Sequence, residues 1–309
     1  MDYFKISDMN EASRDPAEFI RWSQERYDAK VEAAAIQILE AAEQGKPLVL
    51  LSGPSGSGKT TTAGRITQYL CDHGHPSHTL SMDNYYFRRA DGWMPKDEEG
   101  QIDYESPEII DMPLLRQHLE MMADCKPVEM PTFDFAGQRR GDKTIPVHRK
   151  PGEIIVMEGI HALNPQVLGQ ETDLATGIYI SVRTRVQDDN GFVLHPSRIR
   201  LARRLLRDFR HRGQDYAATV QKLRSVSRGE RLYIDPNKNN AAIQFDTFIP
   251  YELAVYRNEI IHYLGKVDAT LLEDLGVSEL MPFLRQIDPI SEKYVPENAL
   301  IQEFIGDED

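Results

Sequence analysis

A glycine-rich stretch at residues 53–60 carries the strongest chemical signal in the chain. It reads Gly-Pro-Ser-Gly-Ser-Gly-Lys-Thr and fits the pattern G-x-x-x-x-G-K-[ST] at every fixed position. Glycines let backbone N–H groups turn towards one phosphate, and a following helix presents its positive end to the same anion. Lys59 is placed to reach the β- and γ-phosphates of a nucleotide, and the Thr60 hydroxyl to bind Mg²⁺. A chance match is the alternative, but the apolar run 48–51 and the helix-compatible stretch 61–70 favour phosphate binding.

Two carboxylates follow runs that are typical of buried strands. Residues 154–157 lead into Glu158, and residues 78–82 lead into Asp83. A carboxylate at the end of a strand beside a phosphate loop lies near the Mg²⁺ site, so Glu158 is predicted to act with Thr60 rather than to face solvent. Asp83 could accept the proton of an attacking hydroxyl, although a helix cap or a turn residue explains it equally well.

A dense basic stretch at residues 198–231 stands out in a chain whose formal net charge is −13. Ile199, Leu205 and Phe209 fall on one face of residues 197–212, which predicts an amphipathic helix. A solvated basic face, a nucleic-acid patch and a mobile lid that closes on a phosphoryl group are the three interpretations. Few aromatic residues lie among the arginines, so the lid is favoured.

The overall composition restricts the class of protein. The chain of 309 residues can bury a large core, and its acidic balance argues against nonspecific binding to nucleic acid or to anionic membranes. Cys71 and Cys125 are too few and too far apart for a disulfide framework or a zinc site. The start lacks a signal pattern and no apolar run has membrane-spanning length, so a soluble cytoplasmic protein is expected.

The elements that must position these residues alternate between strands and helices. Strands are predicted at residues 48–51, 78–82, 154–157, 178–182, 247–249 and 268–272. Helices are predicted at residues 61–73, 107–122, 197–212 and 217–224. This alternation predicts an α/β fold with a doubly wound parallel sheet of the P-loop NTPase type, with ligands beyond the carboxyl ends of the strands.

Three regions are predicted along the chain. Residues 1–46 form a helical extension, residues 47–287 the phosphate-loop domain, and residues 288–309 an acidic tail that is a surface helix or partly disordered. Within the central domain, residues 127–151 are predicted as a β-hairpin insertion and residues 197–231 as the lid region.

Taken in order, these motifs resemble those of the uridine kinase and phosphoribulokinase family of P-loop kinases, over roughly residues 47–260. Ser-Met-Asp-Asn-Tyr-Tyr at 81–86 is similar to the family's Asp-Ser-Phe-Tyr segment, and Asp-Tyr-Glu-Ser-Pro at 103–107 to its Asn-Phe-Asp-His-Pro. Residues 131–139 resemble its hairpin, and residues 158–160 match its Glu-Gly-Ile. Residues 204–213 resemble its arginine-rich lid, and Ser-Val-Ser-Arg-Gly-Glu at 225–230 indicates a uridine kinase-like subgroup.

The resemblance implies ATP and Mg²⁺ as cofactors, a nucleoside acceptor and a role for each matched residue. The implied catalytic residues are Asp83 as base, Lys59, Arg207 and Arg212. The implied nucleotide-binding residues are Gly53, Ser55, Gly56, Ser57, Gly58, Lys59, Thr60, Thr61 and Arg204. The implied acceptor-binding residues are Asp83, Tyr86, Glu105 for the ribose hydroxyls, Phe133, Phe135, Gln138 and Arg139. Thr60 and Glu158 are the implied metal ligands.

Departures from the family pattern leave the acceptor open. Phe133 and Gln138 stand where uridine–cytidine kinases carry Tyr and His, and Glu105 and Ser106 replace Asp and His, so hydrogen bonds that could discriminate acceptors differ. A kinase of another small alcohol, such as a sugar, a sugar phosphate or a pantothenate-like compound, is the alternative within the class. An ATP-binding sensor with little transfer is the alternative outside it. Residues 237–240 resemble the guanine-reading motif N-K-x-D of GTPases but end in Asn instead of Asp, so a GTPase is rejected. The choice between a monomer and a homo-oligomer stays open.

Overall fold

The computed structural model describes residues 3–87, 92–134, 137, 139–168 and 174–306. The strands in these ranges are β1 Tyr3–Lys5, β2 Leu48–Ser52, β3 Ser77–Ser81, β4 Val128–Asp134, β5 Arg139–Val147, β6 Ile154–Glu158, β7 Ala175–Ser181, β8 Arg185–Gln187, β9 Val193–Leu194 and β10 Ile243–Asp246. The α-helices are α1 Ile6–Ala12, α2 Pro16–Glu43, α3 Lys59–Asp72, α4 Met112–Ala123, α5 Pro165–Leu168, α6 Pro196–Arg212, α7 Tyr216–Gln221, α8 Leu223–Gly229, α9 Glu252–Leu264, α10 Ala269–Asp274, α11 Leu280–Leu284 and α12 Gln302–Ile305.

A parallel sheet with the strand order β10-β7-β2-β6-β3 forms the centre of the fold. Strands β2 and β6 are buried along their whole length, as expected for strands that are covered by helices on both faces. Two large clusters of buried apolar side chains lie on the two sides of this sheet, because Val49 and Leu51 join one cluster while Leu48 and Leu50 join the other. The predicted doubly wound α/β sheet is therefore confirmed.

Two predicted strands are wrong in their position or type. The strand expected at 247–249 lies just before it, in β10, and ends where the Asp246 carboxylate accepts hydrogen bonds from the backbone N–H groups of Phe248, Arg183 and Thr184. The strand expected at 268–272 is instead helix α10. Asp268 caps that helix by accepting from the N–H of Thr270, and a capped start stabilises a helix over a strand.

The predicted hairpin is present as the antiparallel pair β4–β5, with a register shift between Pro131 and Phe133. Arg140 on β5 forms an ion pair of 3.1 Å with Asp111, the residue that caps α4. This contact joins the hairpin to the domain. A second contact joins them at Phe133, whose ring centroid lies 5.7 Å from that of Tyr86.

The chain on both sides of the sheet-forming region contributes to one core. Helix α2 packs against α3, and the Tyr27 hydroxyl lies 2.9 Å from the Thr62 hydroxyl. At the other end, Leu300 and Phe304 are fully buried in the same apolar cluster, so the prediction of a surface helix or a disordered tail is wrong for residues 299–305. No helix in the described ranges is long and apolar enough to cross a membrane.

Candidate active site

The phosphate loop connects the end of β2 to the start of α3. Gly56 and Gly58 have φ angles of +72° and +81°, values that favour glycine. A Cβ atom on Gly53 would lie 2.0 Å from the backbone oxygen of Ile180 on the neighbouring strand. The glycines are therefore required by the backbone path into the start of α3, and the N–H groups at a helix start are donors suited to an anion.

Strand register brings the two predicted carboxylates to the same edge of the sheet. Glu158, at the end of β6, pairs with Leu51 on one side and with Ser81 on the other. Asp83 lies two residues beyond Ser81, in a 3₁₀ turn at Met82–Tyr85, and its backbone N–H donates to the Ser81 hydroxyl that caps this turn. Both carboxylates lie close enough to Lys59 for its charge to affect them.

Burial shifts the pKa values of Asp83, Glu158 and Lys59. It raises the pKa of Asp83 above its usual value, an effect opposed by the charge of Lys59 and by a hydrogen bond from Tyr86. Burial also raises the pKa of Glu158 and lowers that of Lys59. A carboxylate whose pKa is raised is a better proton acceptor at neutral pH, so the environment of Asp83 suits a general base.

Helix α6 supplies arginines from a fixed position. Its Leu205 and Leu206 are buried in the main core, and Arg203 on the same helix is fully buried and paired with Glu252. Arg207 donates to the Ser55 hydroxyl at 3.2 Å in the phosphate loop, and burial lowers its pKa. These contacts hold α6 against the core and the phosphate loop in this structure, and the lid at residues 197–231 stays a prediction.

A cavity of about 410 Å³ joins the phosphate loop to the predicted acceptor side. The predicted residues that line it are Ser55, Lys59, Thr60, Asp83, Tyr86, Glu105, Phe133, Glu158, Arg207 and Arg212. The residues that sequence reasoning missed are Phe87, Met94, Tyr104, Ile109 and Ile160. All five are apolar or aromatic. Ile109 ends a 3₁₀ turn at Pro107–Ile109 and the other four lie in turns or irregular segments, where side-chain spacing does not tell which residues face a cavity.

Several predicted residues lie elsewhere. Arg139 is exposed on the hairpin and forms ion pairs with Asp134 and Asp142, and it does not line the cavity. Arg204 is bonded to Asp208 at 3.3 Å, although its charge still acts on Glu105. Gly53, Gly56, Ser57 and Gly58 are in the phosphate loop but do not line the cavity. Phe135 and Gln138 lie outside the described residues.

Thr61 has an unexpected partner from the C-terminal region. Its hydroxyl donates to the Glu303 carboxylate at 2.7 Å, and its backbone N–H points to the same oxygen at 3.4 Å. Arg207 forms an ion pair of 3.3 Å with the other oxygen of Glu303. No sequence signal identified Glu303, because the resemblance to known kinases does not extend to the C-terminal residues.

Glu105 lines the same cavity and lies in close contact with Gly229, the last residue of α8. A Cβ atom on Gly229 would come within 2.2 Å of the Glu105 Cβ, so only glycine permits this approach. Nearby, the buried Asp103 accepts from Arg228 at 2.7 Å and from the Tyr233 hydroxyl at 2.9 Å. Burial raises the pKa of Glu105 to about 7. The motif at 225–230 thus holds the loop that carries Glu105.

The predicted metal ligands fit a magnesium ion. The Thr60 side chain and the buried Glu158 carboxylate both face the cavity. One hydroxyl and one carboxylate match the way Mg²⁺ is held in phosphate-transfer sites, where the substrate phosphates and water supply the other oxygens. No cluster of three or more His, Cys, Asp or Glu side chains suited to a metal occurs in the described part of the chain.

Comparison with known proteins agrees with this geometry. The model of the phosphoribulokinase / uridine kinase family matches residues 48–251. A uridine kinase of Lactobacillus helveticus is 34% identical over 200 residues, which cover 64% of this chain and 85% of the relative. One from Lactobacillus johnsonii is 36% identical with the same coverage. The structure of D-glycerate 3-kinase from Cryptococcus neoformans has a TM-score of 0.49 and 17% identity, over 66% of this chain and 88% of that one.

The family match includes the elements that form the cavity: the phosphate loop, the ends of β3 and β6, the hairpin and α6. It ends before α12, so Glu303 lies outside the matched residues. The chain belongs to the phosphoribulokinase / uridine kinase family and is a phosphotransferase with an alcohol group as acceptor.

Proposed function

We propose that this chain is an ATP- and Mg²⁺-dependent nucleoside kinase that transfers the γ-phosphoryl group to a 5′-hydroxyl. The curated relatives named above are uridine kinases. The observation that carries the proposal is one cavity whose lining includes Lys59 and Arg207, the carboxylate of Asp83 and the carboxylate of Glu105. Such a cavity can align a phosphate chain with a hydroxyl acceptor.

The roles of the side chains follow from their positions. Loop N–H groups and Lys59 bind the phosphates, and Asp83 orients the acceptor hydroxyl and takes its proton as the oxygen attacks phosphorus. Arg207 and Arg212 stabilise the negative charge on the transferring group. Thr60 and Glu158 would hold Mg²⁺, which neutralises charge on the β- and γ-phosphates when it is bound.

The acceptor end of the cavity suits a molecule with a planar ring and vicinal hydroxyls. Tyr86 and Phe133 meet edge to face, at an interplanar angle of 89°, and present apolar surface. Glu105 supplies a carboxylate that can accept hydrogen bonds from two hydroxyls. This combination favours a nucleoside over a simple sugar, because a planar base adds apolar area that can cover the aromatic surface.

The direct test is ADP release from ATP and Mg²⁺ with a panel of nucleosides, sugars and other small alcohols. Stimulation by uridine or cytidine is the expected result. Stimulation only by a different alcohol would keep the phosphotransferase chemistry and refute the nucleoside acceptor. Tight ATP binding with no product from any acceptor would favour the sensor alternative and refute the proposed transfer.

The ionisation of Glu105 predicts a pH dependence of acceptor use. Its pKa is about 7, so above that pH the carboxylate is charged and accepts hydroxyl hydrogen bonds more strongly. We expect kcat/KM for the acceptor to rise as the pH increases from 6 to 8, mainly through KM. Glu105→Gln should lower kcat/KM by about 10- to 100-fold and flatten this rise, since a charged hydrogen bond contributes about 1.5–3 kcal/mol.

Glu108→Gln is the matched control, because Glu108 is an exposed carboxylate three residues away. It should leave the profile unchanged. A Glu105→Gln enzyme that keeps the wild-type KM and its pH profile would show that Glu105 does not contact the acceptor.

The raised pKa of Glu105 also affects stability. The folded chain holds the proton of the Glu105 carboxyl more tightly than an unfolded chain would, so the stability from protonated Glu105 is lost as the pH rises through about 7.

A further inference from the structure

The C-terminal segment at residues 300–305 packs directly on the phosphate loop. A Cβ atom on Gly58 would lie 3.0 Å from the Leu300 side chain. The Phe304 ring lies against two guanidinium groups of α6, with Arg203 at 5.2 Å and Arg207 at 5.9 Å from its centroid. Leu300 and Phe304 are fully buried, so the segment holds a defined position.

Between these anchors, Glu303 contacts polar groups that a nucleotide also needs. Helix α3 begins at Lys59, so the N–H of Thr61 is among the first four of the helix and has no partner within it. In a phosphate loop the lysine reaches the β- and γ-phosphates, and the loop N–H groups bind the α- and β-phosphates. Thr61, two residues beyond Lys59 at the helix start, is therefore a donor for the α-phosphate end.

The cavity supports this assignment. It reaches Ser55, Lys59, Thr60 and Arg207, but Thr61 is not among its lining residues. The Glu303 carboxylate covers Thr61 by accepting from its hydroxyl and its N–H group, and it pairs with Arg207 as well. A carboxylate bonded to a helix N-terminus and to an arginine reproduces the two interactions by which proteins hold a phosphate.

We propose that residues 300–305 are an intrachain ligand of the phosphate loop, in which Glu303 occupies the place of the nucleotide's α-phosphate. Nucleotide binding then requires the Glu303 side chain to leave Thr61 and Arg207. Leu300 and Phe304 keep the segment on the core, but without the polar contacts of Glu303 its backbone opens more often. The apparent association constant for the nucleotide is then the intrinsic constant multiplied by the fraction of molecules in which Glu303 has left this place. This inference rests on the proposed function only in taking a nucleotide as the phosphoryl donor.

The test is the binding of ADP, without an acceptor, to the full chain and to Glu303→Ala and Glu303→Gln variants. Removing the competing carboxylate should tighten ADP binding by about 3- to 10-fold in the alanine variant and less in the glutamine variant, whose amide oxygen can still accept from Thr61. Glu297→Gln is the matched control, because it removes an equal charge from an exposed residue of the same C-terminal region. It should bind ADP as the wild type does.

Hydrogen exchange gives a second measurement on the wild-type chain. Saturating ADP should increase the exchange of backbone amides in residues 300–306, since the seated segment loses its contact with Thr61. Weaker ADP binding by Glu303→Ala, or unchanged binding, would overturn the inference. Unchanged ADP binding together with acceptor-dependent turnover would refute this inference alone, whereas no ADP binding by any variant would refute the proposed function as well.

Discussion

Asp83→Asn should lower kcat by about 10²- to 10⁴-fold while ADP binding changes little. The amide has nearly the same shape as the carboxylate but cannot accept the proton of the attacking hydroxyl. Asp83 lies in the cavity between Lys59 and Tyr86, so the substitution removes the base without removing a phosphate-binding group. Single-turnover phosphoryl transfer and equilibrium ADP binding separate the two effects.

The control for this substitution is Asp274→Asn, an exposed aspartate near the end of α10. It should match the wild type in both measurements. If Asp83→Asn kept more than about a tenth of the wild-type kcat, the loss would be smaller than the factor of about 10² to 10⁴ that a general base contributes. Asp83 would then not be the general base. A large loss of ADP affinity would instead assign Asp83 a role in the nucleotide site.

Arg203→Met should destabilise the fold by about 3–5 kcal/mol, because it leaves the Glu252 carboxylate buried without its counter-charge. Both side chains are fully buried, and the Arg203 guanidinium donates to both carboxylate oxygens of Glu252, at 2.6 and 2.9 Å. Arg203 also donates to the backbone oxygen of Thr247 at 2.7 Å, which joins α6 to the loop after β10. Urea unfolding followed by circular dichroism measures the change in the free energy of unfolding.

Arg21→Met provides the comparison, since Arg21 pairs with Glu18 and Glu25 on the exposed face of α2. An exposed pair contributes about 0–1 kcal/mol, so this variant should unfold close to the wild type. The double variant Arg203→Met/Glu252→Leu should recover part of the loss, because it removes the uncompensated charge. If Arg203→Met and the double variant lost the same free energy of unfolding, the loss would come from packing and from the contact with Thr247 and not from the unpaired charge.

The sequence was sufficient for the parts of the site that depend on local spacing. The phosphate loop has a fixed pattern. Glu158 follows an apolar run and Asp83 follows a shorter, partly exposed strand, and the ends of parallel strands meet at one edge of the sheet. Arg207 followed from the resemblance of the α6 motif to a known family. For each of these residues, a single short motif or run of sequence was enough to predict its position in the site.

Contacts between distant segments could not be predicted in the same way. Glu303 and Thr61 are separated by 242 positions, and a glutamate in an acidic tail has no feature that marks it as a partner of the phosphate loop. The end of β10 was misplaced because residues 243–249 are apolar at many positions, so composition does not say where pairing stops. The Asp246 carboxylate ends the strand by bonding to N–H groups on two loops, one of them more than sixty residues earlier in the chain.

The position of Arg207 on a helix packed into the core has a consequence for how this enzyme can evolve. Arg207 follows Leu205 and Leu206, whose side chains are fully buried, so the direction of its guanidinium depends on how well those leucines fit their neighbours. A substitution in the core beneath α6 would misplace the arginine even though it lies far from any substrate. Natural selection for turnover and selection for folding would then act on the same leucines, and sequence drift at that helix face would be limited by both.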